Sequence, residues 1–231
     1  ENNDFLNAGD GTNQLYGEEG NDSLNSGSGN DSHRGGLGND NTNAGDGDDH
    51  YYFAYGDGND VIKDIGSVSG DVLYLENITE SMMSYQVSAE NLTILIDGGI
   101  GGRIEIHDQF QGVGLTNAIE KAVLDDGTEI DLINRDFVFS GTEGNDVIEG
   151  RRYPTITNDI INGLGGDDVI RIYSGGLNVV NGNLGNDAII GSYAIDIFNG
   201  DEGEDSIYGG YGDDQLTGGL DNDFLSGGGD E

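Results

Sequence analysis

The sequence contains no cysteine, no tryptophan and one proline, and its 8 basic residues face 45 acidic ones. The lack of cysteine excludes disulfides, thiolate nucleophiles and thiolate metal sites. Three separated histidines offer little for zinc. No apolar run reaches the ~18 residues of a membrane-spanning helix, and the stretch Glu1-Asn2-Asn3-Asp4 lacks the character of a signal peptide. We therefore expect any export to depend on another signal, or on one outside this segment.

The charge of the chain is strongly one-sided, with a formal net value of -37. Nucleic acids and anionic membranes need a positive binding surface, so both are excluded as partners of this segment, and cations are favoured. Glycine supplies 43 of 231 residues, far above the usual ~7%, which predicts many turns. With this charge and only 34% hydrophobic residues, we expect folding only after the charge is neutralised.

A nine-residue repeat runs through the first part of the chain. Aspartate recurs at this spacing, with asparagine once in its place, at Asp4, Asn13, Asp22, Asp31, Asp40 and Asp49. The consensus is G-G-x-G-N/D-D-x-L-x, most plainly from Gly35 to Asp40. A second array begins with Asp159 and Asp168 and, after a slip of one residue to Asn178, continues every nine residues at Asp187, Asp196, Asp205, Asp214 and Asp223.

The repeat is absent from about residue 61 to residue 140, where short strands are favoured instead. Strands are predicted at 71–75, 92–96 and 103–106, a helical turn at 79–83, and a hairpin over 122–132 whose turn carries Gly127. The predicted domains are a first array at 1–60, a β-rich inter-array domain at 61–140 and a second array at 141–231.

The repeat predicts a stacked coil that needs a cation. Six residues of each repeat are turn formers and three are strand formers, so two repeats make one coil with a strand of about 10 Å on each side. Stacking places Asp22 next to Asp40, and Asp187 next to Asp205. Carboxylates this close repel each other unless a cation lies between them. Carboxylates and turn carbonyls are hard oxygen ligands, which suit Ca2+ better than zinc or copper.

The arrays resemble the nonapeptide G-G-x-G-x-D-x-U-x of RTX (repeats-in-toxin) haemolysin-type calcium-binding proteins, in about fifteen copies. The region from Asp57 to Thr128 is similar to the domain that often follows RTX arrays. The resemblance implies an all-β fold with two calcium-loaded parallel β-roll blocks flanking a small β-rich insert. It also implies that each ion lies between two turns one coil apart. The earlier turn would supply its Asp and its second and fourth carbonyls, and the later turn its Asp and its first and third carbonyls.

Carried over residue by residue, this pattern predicts metal ligands in both arrays. In the first array they are Asp4, Gly9, Gly11, Gly17, Glu18, Gly20, Asp22, Gly27, Gly29, Asp31, Gly35, Leu37, Asp40, Asp46 and Asp49. In the second array they are Asp168, Asn183, Gly185, Asp187, Asp196, Gly200, Asp201, Glu202, Gly203, Asp205, Gly209, Tyr211, Asp214, Gly218, Leu220 and Asp223. Roughly ten calcium ions are expected, and no catalytic residue or other cofactor is predicted.

Several positions depart from the repeat. His33 and Thr42 stand where a large aliphatic residue is expected to point inward, and His33 is predicted to pack in the core between Leu15 and Tyr51 instead of binding metal. Asn13 and Asn178 keep an oxygen but lose the charge, which should weaken their sites.

An apolar row in the second array is a further departure. Ile160, Val179 and Ile197 come just before inward positions and should face outward. This pattern favours a cover over the early part of the second roll, by the insert, by self-association or by another partner.

Three functions fit the sequence. The favoured one is a calcium-binding module of a secreted bacterial protein, exported by type I secretion, that folds on meeting extracellular Ca2+. The others are a spacer or binding module of an RTX adhesin or surface-layer protein, and an accessory module of an exported polysaccharide-modifying or hydrolytic enzyme. No catalysis by this segment is expected, because no nucleophile, base and orienting group stand at a telling spacing. The expected location is extracellular or at the cell surface, and the rest of a larger parent polypeptide is an expected partner.

Overall fold

The computed structural model describes residues 2–64, 66, 70–88, 91–110, 118–150, 157–173 and 175–229. Contacts divide the chain into two units, Glu1–Gln86 with Glu90–Ile133, and Val87–Ala89 with Asn134–Glu231. The described residues form strands and two short 3-10 turns, at Glu80–Met82 and Asp97–Gly99. The all-β prediction is therefore confirmed, and the first 3-10 turn lies inside the predicted helical turn.

The described residues of the first unit form thirteen strands, one of which ends in residues grouped with the second unit. They are β1 Phe5–Asn7, β2 Gln14–Glu19, β3 Ser23–Asn25, β4 Ser32–Leu37, β5 Asn41–Asn43, β6 His50–Ala54, β7 Asn59–Lys63, β8 Val72–Glu76, β9 Met83–Ser88, β10 Asn91–Ile96, β11 Gly102–His107, β12 Lys121–Leu124 and β13 Glu129–Asp131. Strands alternate between two sheets, β1-β3-β5-β7-β11-β10-β9 and β13-β12-β8-β6-β4-β2. Each coil of the roll therefore contributes one strand to each sheet.

The register of the parallel strands stacks equivalent repeat positions. Leu15 pairs with His33, and His33 pairs with Tyr51. On the other sheet, Leu24 pairs with Thr42. His33 and Thr42 are buried, and the His33 ring meets that of Tyr51 edge to face at 5.9 Å. The prediction that His33 is a core residue is confirmed, and its Nε2 lies 2.9 Å from the hydroxyl of Ser26.

The strands from β8 to β13 continue both sheets of the first roll. β11 pairs with β7 in parallel and with β10 in antiparallel orientation, while β12 pairs with β8 and forms the predicted hairpin with β13. Ile94, Ile104 and Ile106 are fully buried and make this part of the core. The division of the sequence into three domains stays a prediction.

The second unit is a roll of ten strands in the described part of the chain. They are β14 Val138–Ser140, β15 Val147–Glu149, β16 Ile160–Gly165, β17 Val169–Arg171, β18 Val179–Leu184, β19 Ala188–Ile190, β20 Ile197–Glu202, β21 Ser206–Tyr208, β22 Gln215–Leu220 and β23 Phe224–Ser226. Even-numbered strands form one parallel sheet and odd-numbered strands the other. Their inward columns include Ile161, Val180 and Phe198, all fully buried, so the β-roll prediction is confirmed here too.

The apolar row before the inward positions of the second roll is only partly exposed. Ile160 is exposed at 40%, whereas Val179 and Ile197 have intermediate exposure. The predicted cover over this row stays a prediction.

Candidate metal sites

One oxygen of most repeat aspartates accepts a hydrogen bond from the backbone of the preceding coil. The N–H of Asp22 donates to Oδ1 of Asp40 at 2.7 Å, and the N–H of Asp187 donates to Oδ1 of Asp205 at 2.8 Å. Hydrogen bonds of this kind occur in both rolls, and we call the series the aspartate ladder. Each bond orients its carboxylate because it fixes the accepting oxygen.

The second carboxylate oxygen has no such partner. Among the repeat aspartates in the described part of the chain, buried Oδ2 atoms without a hydrogen bond belong to Asp22, Asp31, Asp40, Asp49, Asp168, Asp187, Asp205 and Asp214. A buried charged oxygen without a partner is costly. The repetition of this cost at equivalent turns points to a ligand that the turns are built to hold.

A glycine begins several of the turns and leaves room for these oxygens. A Cβ on Gly17 would overlap Oδ2 of Asp22 and lie 2.6 Å from the carbonyl oxygen of Gly35. A Cβ on Gly200 would overlap Oδ2 of Asp205 and lie 2.5 Å from the carbonyl oxygen of Gly218. The carboxylate of one turn and the first carbonyl of the next therefore converge.

The second and fourth carbonyls of a turn face the next coil. A Cβ on Gly36 would overlap the carbonyl oxygen of Glu18, and a Cβ on Gly38 would overlap that of Gly20. Glu18 has a φ of 74°, in the left-handed region that costs a non-glycine residue about 1–2 kcal/mol. Asn183 and Asp201 occupy the same position at 75° and 78°. The turn geometry is thus kept despite its cost, and these carbonyls point toward the neighbouring turn.

The third carbonyl of a turn is shared with the backbone. The carbonyl oxygen of Leu37 accepts a hydrogen bond from the N–H of Gly20 at 2.8 Å, and that of Asp46 accepts one from Gly29 at 2.7 Å. The carbonyl oxygen of Glu202 does the same for Gly185 at 2.8 Å. A carbonyl has a second lone pair, so these predicted ligands keep one acceptor position.

Asn13 and Asn178 change the chemistry of their turns. The Nδ2 of Asn13 donates to the carbonyl oxygens of Gly9 and Gly11, both at 3.0 Å, and the Nδ2 of Asn178 donates to that of Gly176 at 2.9 Å. An amide N–H thus lies where these carbonyls would meet a cation. The repeat pattern does not predict that the carbonyl oxygens of Gly9 and Gly11 accept hydrogen bonds from the Asn13 side chain.

Burial makes the charged form of several repeat carboxylates unfavourable. It is the largest cause that raises the pKa of Asp40 to about 6, that of Asp187 to about 6 and that of Asp60 to about 7. Coulombic repulsion acts in the same direction, from Asp22 on Asp40 and from Asp168 on Asp187. Without a cation, the folded turns favour protonated carboxylates.

The stability of the calcium-free chain should therefore increase on mild acidification. The ordinary pKa of these groups is 3.8, so their protonation favours the folded chain fully below about pH 4, and this contribution is lost as pH rises through 6 to 7. Without calcium, we expect more strand structure at pH 5 than at pH 7.5, measured by far-UV circular dichroism. In millimolar calcium the order should reverse, because the ion binds the charged form. The same pH trend in both solutions would contradict this.

Two features of the sites were missed at the level of sequence. The asparagine before the repeat aspartate forms a second ladder, in which the N–H of Asn39 donates to Oδ1 of Asn21 at 2.9 Å and that of Asn59 to Asn39 at 2.9 Å. The N/D position of the consensus is the sequence feature that corresponds to this second ladder. The aspartate ladder also continues to Asp60 and Asp71, beyond the regular spacing of nine.

The donor set fits calcium. Carboxylate and carbonyl oxygens converge between adjacent turns, and the structure brings no histidine into the clusters of candidate metal ligands found among the described residues. Hard oxygen ligands in a flexible number are what Ca2+ takes in proteins.

The fold and these turns define the class of calcium-binding parallel β-roll proteins. A family model, the RTX calcium-binding nonapeptide repeat, matches four copies, at residues 1–32, 138–152, 155–171 and 190–225. Both rolls therefore contain repeats of the RTX calcium-binding type, and such repeats bind Ca2+ and are typically structural.

A solved structure with a similar chain is an extracellular lipase, LipA from Serratia marcescens, at 17% identity and a TM-score of 0.29. The match covers 87% of this chain and 31% of that chain, so this chain spans about a third of the length of the lipase. No curated protein sequence matches. Among the described residues, no helix has the length and apolar character to cross a membrane.

Proposed function

We propose that this chain is a calcium-dependent folding module of a secreted bacterial protein. The observation that carries the proposal is the row of buried, unpartnered Oδ2 atoms at equivalent turns of both rolls. RTX repeat proteins are generally exported by type I secretion, and an extended, repelling chain suits passage through a narrow channel. Catalysis, a receptor or a toxic activity would belong to other parts of the parent polypeptide.

The proposed ligands are the aspartates and turn carbonyls predicted from the repeat. In one site, Asp187 with the carbonyls of Asn183 and Gly185 would face Asp205 and the carbonyl of Gly200. Bound calcium would supply positive charge between carboxylates that otherwise repel each other. With roughly ten ions, about twenty negative charges would be offset, and the remaining acidity would keep the roll in solution.

Extracellular calcium matches the proposed role. Modules that work outside cells bind Ca2+ at about 10^-4 to 10^-3 M, so such sites stay empty in the cytosol. Because the ligands of one site come from different coils, they assemble only in the folded chain, and binding free energy becomes folding free energy. The same ion that the turns bind would thus decide where the protein folds.

Two adjacent aspartates allow a matched test of the ligands. Oδ1 of Asp168 accepts the N–H of Asp146 at 2.8 Å and Oδ1 of Asp167 accepts the N–H of Asn186 at 2.9 Å, so asparagine keeps both bonds. Only Asp168 is buried with an unpartnered Oδ2, while Asp167 is exposed. We expect Asp168→Asn to bind about one calcium ion fewer than the wild type, and Asp167→Asn to bind the same number.

Isothermal titration calorimetry with Ca2+, and with Mg2+ as the control ion, measures these numbers. Magnesium demands near-ideal octahedral geometry and gives up its water reluctantly, so it should bind far more weakly. Equal calcium stoichiometry for both variants would remove the repeat aspartates as ligands. No calcium binding by the wild type would overturn the proposed function.

A further inference from the structure

Three buried carboxylates meet where the regular spacing of the first array ends. Asp49 directly precedes β6, Asp64 directly follows β7, and Asp71 directly precedes β8. One carboxylate oxygen from each lies within 4.8 Å of the other two. All three residues are at most 1% exposed. The cluster combines two ladder aspartates with a third residue that has no place in the nine-residue repeat.

Asp49 and Asp71 are oriented by the aspartate ladder. The N–H of Asp31 donates to Oδ1 of Asp49, and the N–H of Asp49 donates to Oδ1 of Asp71, both at 2.7 Å. Oδ2 of Asp49 stays without a partner in the described part of the chain. The N–H of Asp71 donates to Oε2 of Glu120 at 2.7 Å. Glu120 therefore accepts the hydrogen bond that the next aspartate of the ladder would accept, and the aspartate ladder ends at Asp71.

Asp64 is the residue that this arrangement leaves unexplained. It is fully buried, and neither of its oxygens has a hydrogen bond of ordinary geometry from a described residue, although Asp71 and the Tyr51 hydroxyl come close enough to lower its pKa against the larger effect of burial. The lysine beside it, Lys63, lies 4.0 Å from Asp108 instead. A buried carboxylate with two unpartnered oxygens is costly unless a cation or a proton compensates it. The side chain is thus placed for a ligand that supplies positive charge.

We propose that Asp49, Asp64 and Asp71 form a three-carboxylate calcium site that ends the first roll. A Cβ on Gly66 would lie 2.7 Å from the carbonyl oxygen of Gly45 and 3.2 Å from Oδ1 of Asp64, so the Gly45 carbonyl is a further oxygen beside the cluster. An all-oxygen set of this kind suits Ca2+ and not zinc or copper.

The third carboxylate should make this site tighter than the repeat sites. Calcium affinity rises with the number of charged ligands, and a repeat site has the carboxylates of two turns only. Burial, with added repulsion from neighbouring carboxylates, raises the pKa of both Asp64 and Asp71, which agrees with charges that need compensation. We expect this site to fill first as calcium rises and to empty last.

Tyr51 offers a local reporter for the site. Its hydroxyl is buried and lies close enough to Asp64 to lower the pKa of that carboxyl. Burial, and then the charges of Asp64, Asp49 and Asp71, raise the pKa of Tyr51 well above the usual value, so the ring lies close to all three carboxylates. Terbium replaces calcium at oxygen sites and emits when a nearby tyrosine is excited. Emission sensitised by Tyr51 would therefore follow this ion.

The test titrates the full chain with Ca2+ by calorimetry and with Tb3+ by luminescence. We expect Asp64→Asn to lose about one ion and to weaken the tightest binding class about tenfold or remove it. The control is Asp126→Asn, at an exposed hairpin residue whose Oδ1 accepts the N–H of Thr128 at 2.9 Å, and it should bind as the wild type does. Tyr51→Phe should keep the ion number and lose the terbium emission of the tightest class.

The inference rests on the proposed function but fails separately from it. If Asp64→Asn keeps every ion and the same tightest constant, the cluster is protonated and holds no metal, while the repeat sites stand. If Asp64→Asn does not fold, the wild type and Tyr51→Phe decide: equal terbium emission in the tightest class would overturn the site. Only the loss of all calcium binding in the wild type would overturn the proposed function as well.

Discussion

In excess EDTA at neutral pH, the protein is expected to lose most of its strand structure, and millimolar calcium is expected to restore it cooperatively. The chain has a formal net charge of -37, and the folded rolls stack carboxylates from adjacent coils on one edge. Nine aspartates in the described residues also have a buried oxygen without a hydrogen bond. Without a cation, each such turn opposes folding.

The favourable contribution to the free energy of folding is too small to offset this repulsion. Each turn of a coil orders many glycines, and ordering one residue costs about 1–2 kcal/mol of backbone entropy. Each repeat buries one inward side chain, such as Leu24 or Ile189, which contributes only about 1.5–3 kcal/mol. Calcium binding at sites shared by adjacent coils therefore decides the balance, and it links the coils to one another.

Far-UV circular dichroism and size-exclusion chromatography measure the transition. The control is sodium chloride at equal ionic strength, because salt screens exposed charges but not the buried turn oxygens. Magnesium at the same concentration distinguishes calcium binding from divalent charge alone. A spectrum that does not change on chelation would show that the rolls fold without metal.

The phase of the repeat made most of the roll predictable. A spacing of nine predicted which residues stack, and the columns Leu15, His33 and Tyr51 have the expected register. The antiparallel hairpin with Gly127 was also predictable, because its turn chemistry is local. The fold and the strand register follow from the sequence here because the repeats have turn-forming and strand-forming residues at equivalent positions.

The different roles of the two oxygens of a repeat carboxylate were not predictable. The spacing predicts that Asp40 lies beside Asp22. It does not predict that the N–H of Asp22 binds one oxygen of Asp40 and leaves the other without a hydrogen bond. Whether Asn13 turns its oxygen or its amide nitrogen to the carbonyls of Gly9 and Gly11 was equally hidden. These outcomes depend on side-chain torsions that a repeat pattern does not contain.

The end of the first array was hidden for a different reason. The ladder continues from Asp40 to Asp60 and from Asp49 to Asp71, over 20 and 22 residues instead of 18. The extra residues break the phase in sequence while the strands keep their register in space. Asp64 lies within one of these longer segments, so periodicity gave it no role.

A single added methyl group is expected to remove one ion from the second roll. Gly200 has no positive φ, but a Cβ there would overlap Oδ2 of Asp205 and lie 2.5 Å from the carbonyl oxygen of Gly218. Both atoms belong to the proposed site between their turns. We expect Gly200→Ala to bind about one calcium ion fewer and to lose about 1–3 kcal/mol of stability from overpacking alone.

Gly144→Ala is the matched control for this change. Gly144 also lies in a turn of the second roll and also lacks a positive φ, but the nearest atom to its Cβ position is the Thr142 hydroxyl oxygen at 3.8 Å. Alanine there should keep the ion number and leave stability unchanged or about 0.4–1 kcal/mol higher, because it restricts the unfolded chain. Calorimetry gives the ion number, and thermal unfolding in saturating calcium gives the stability. If the two variants behave alike, space beside the aspartate oxygen is not what the first glycine of the turn provides.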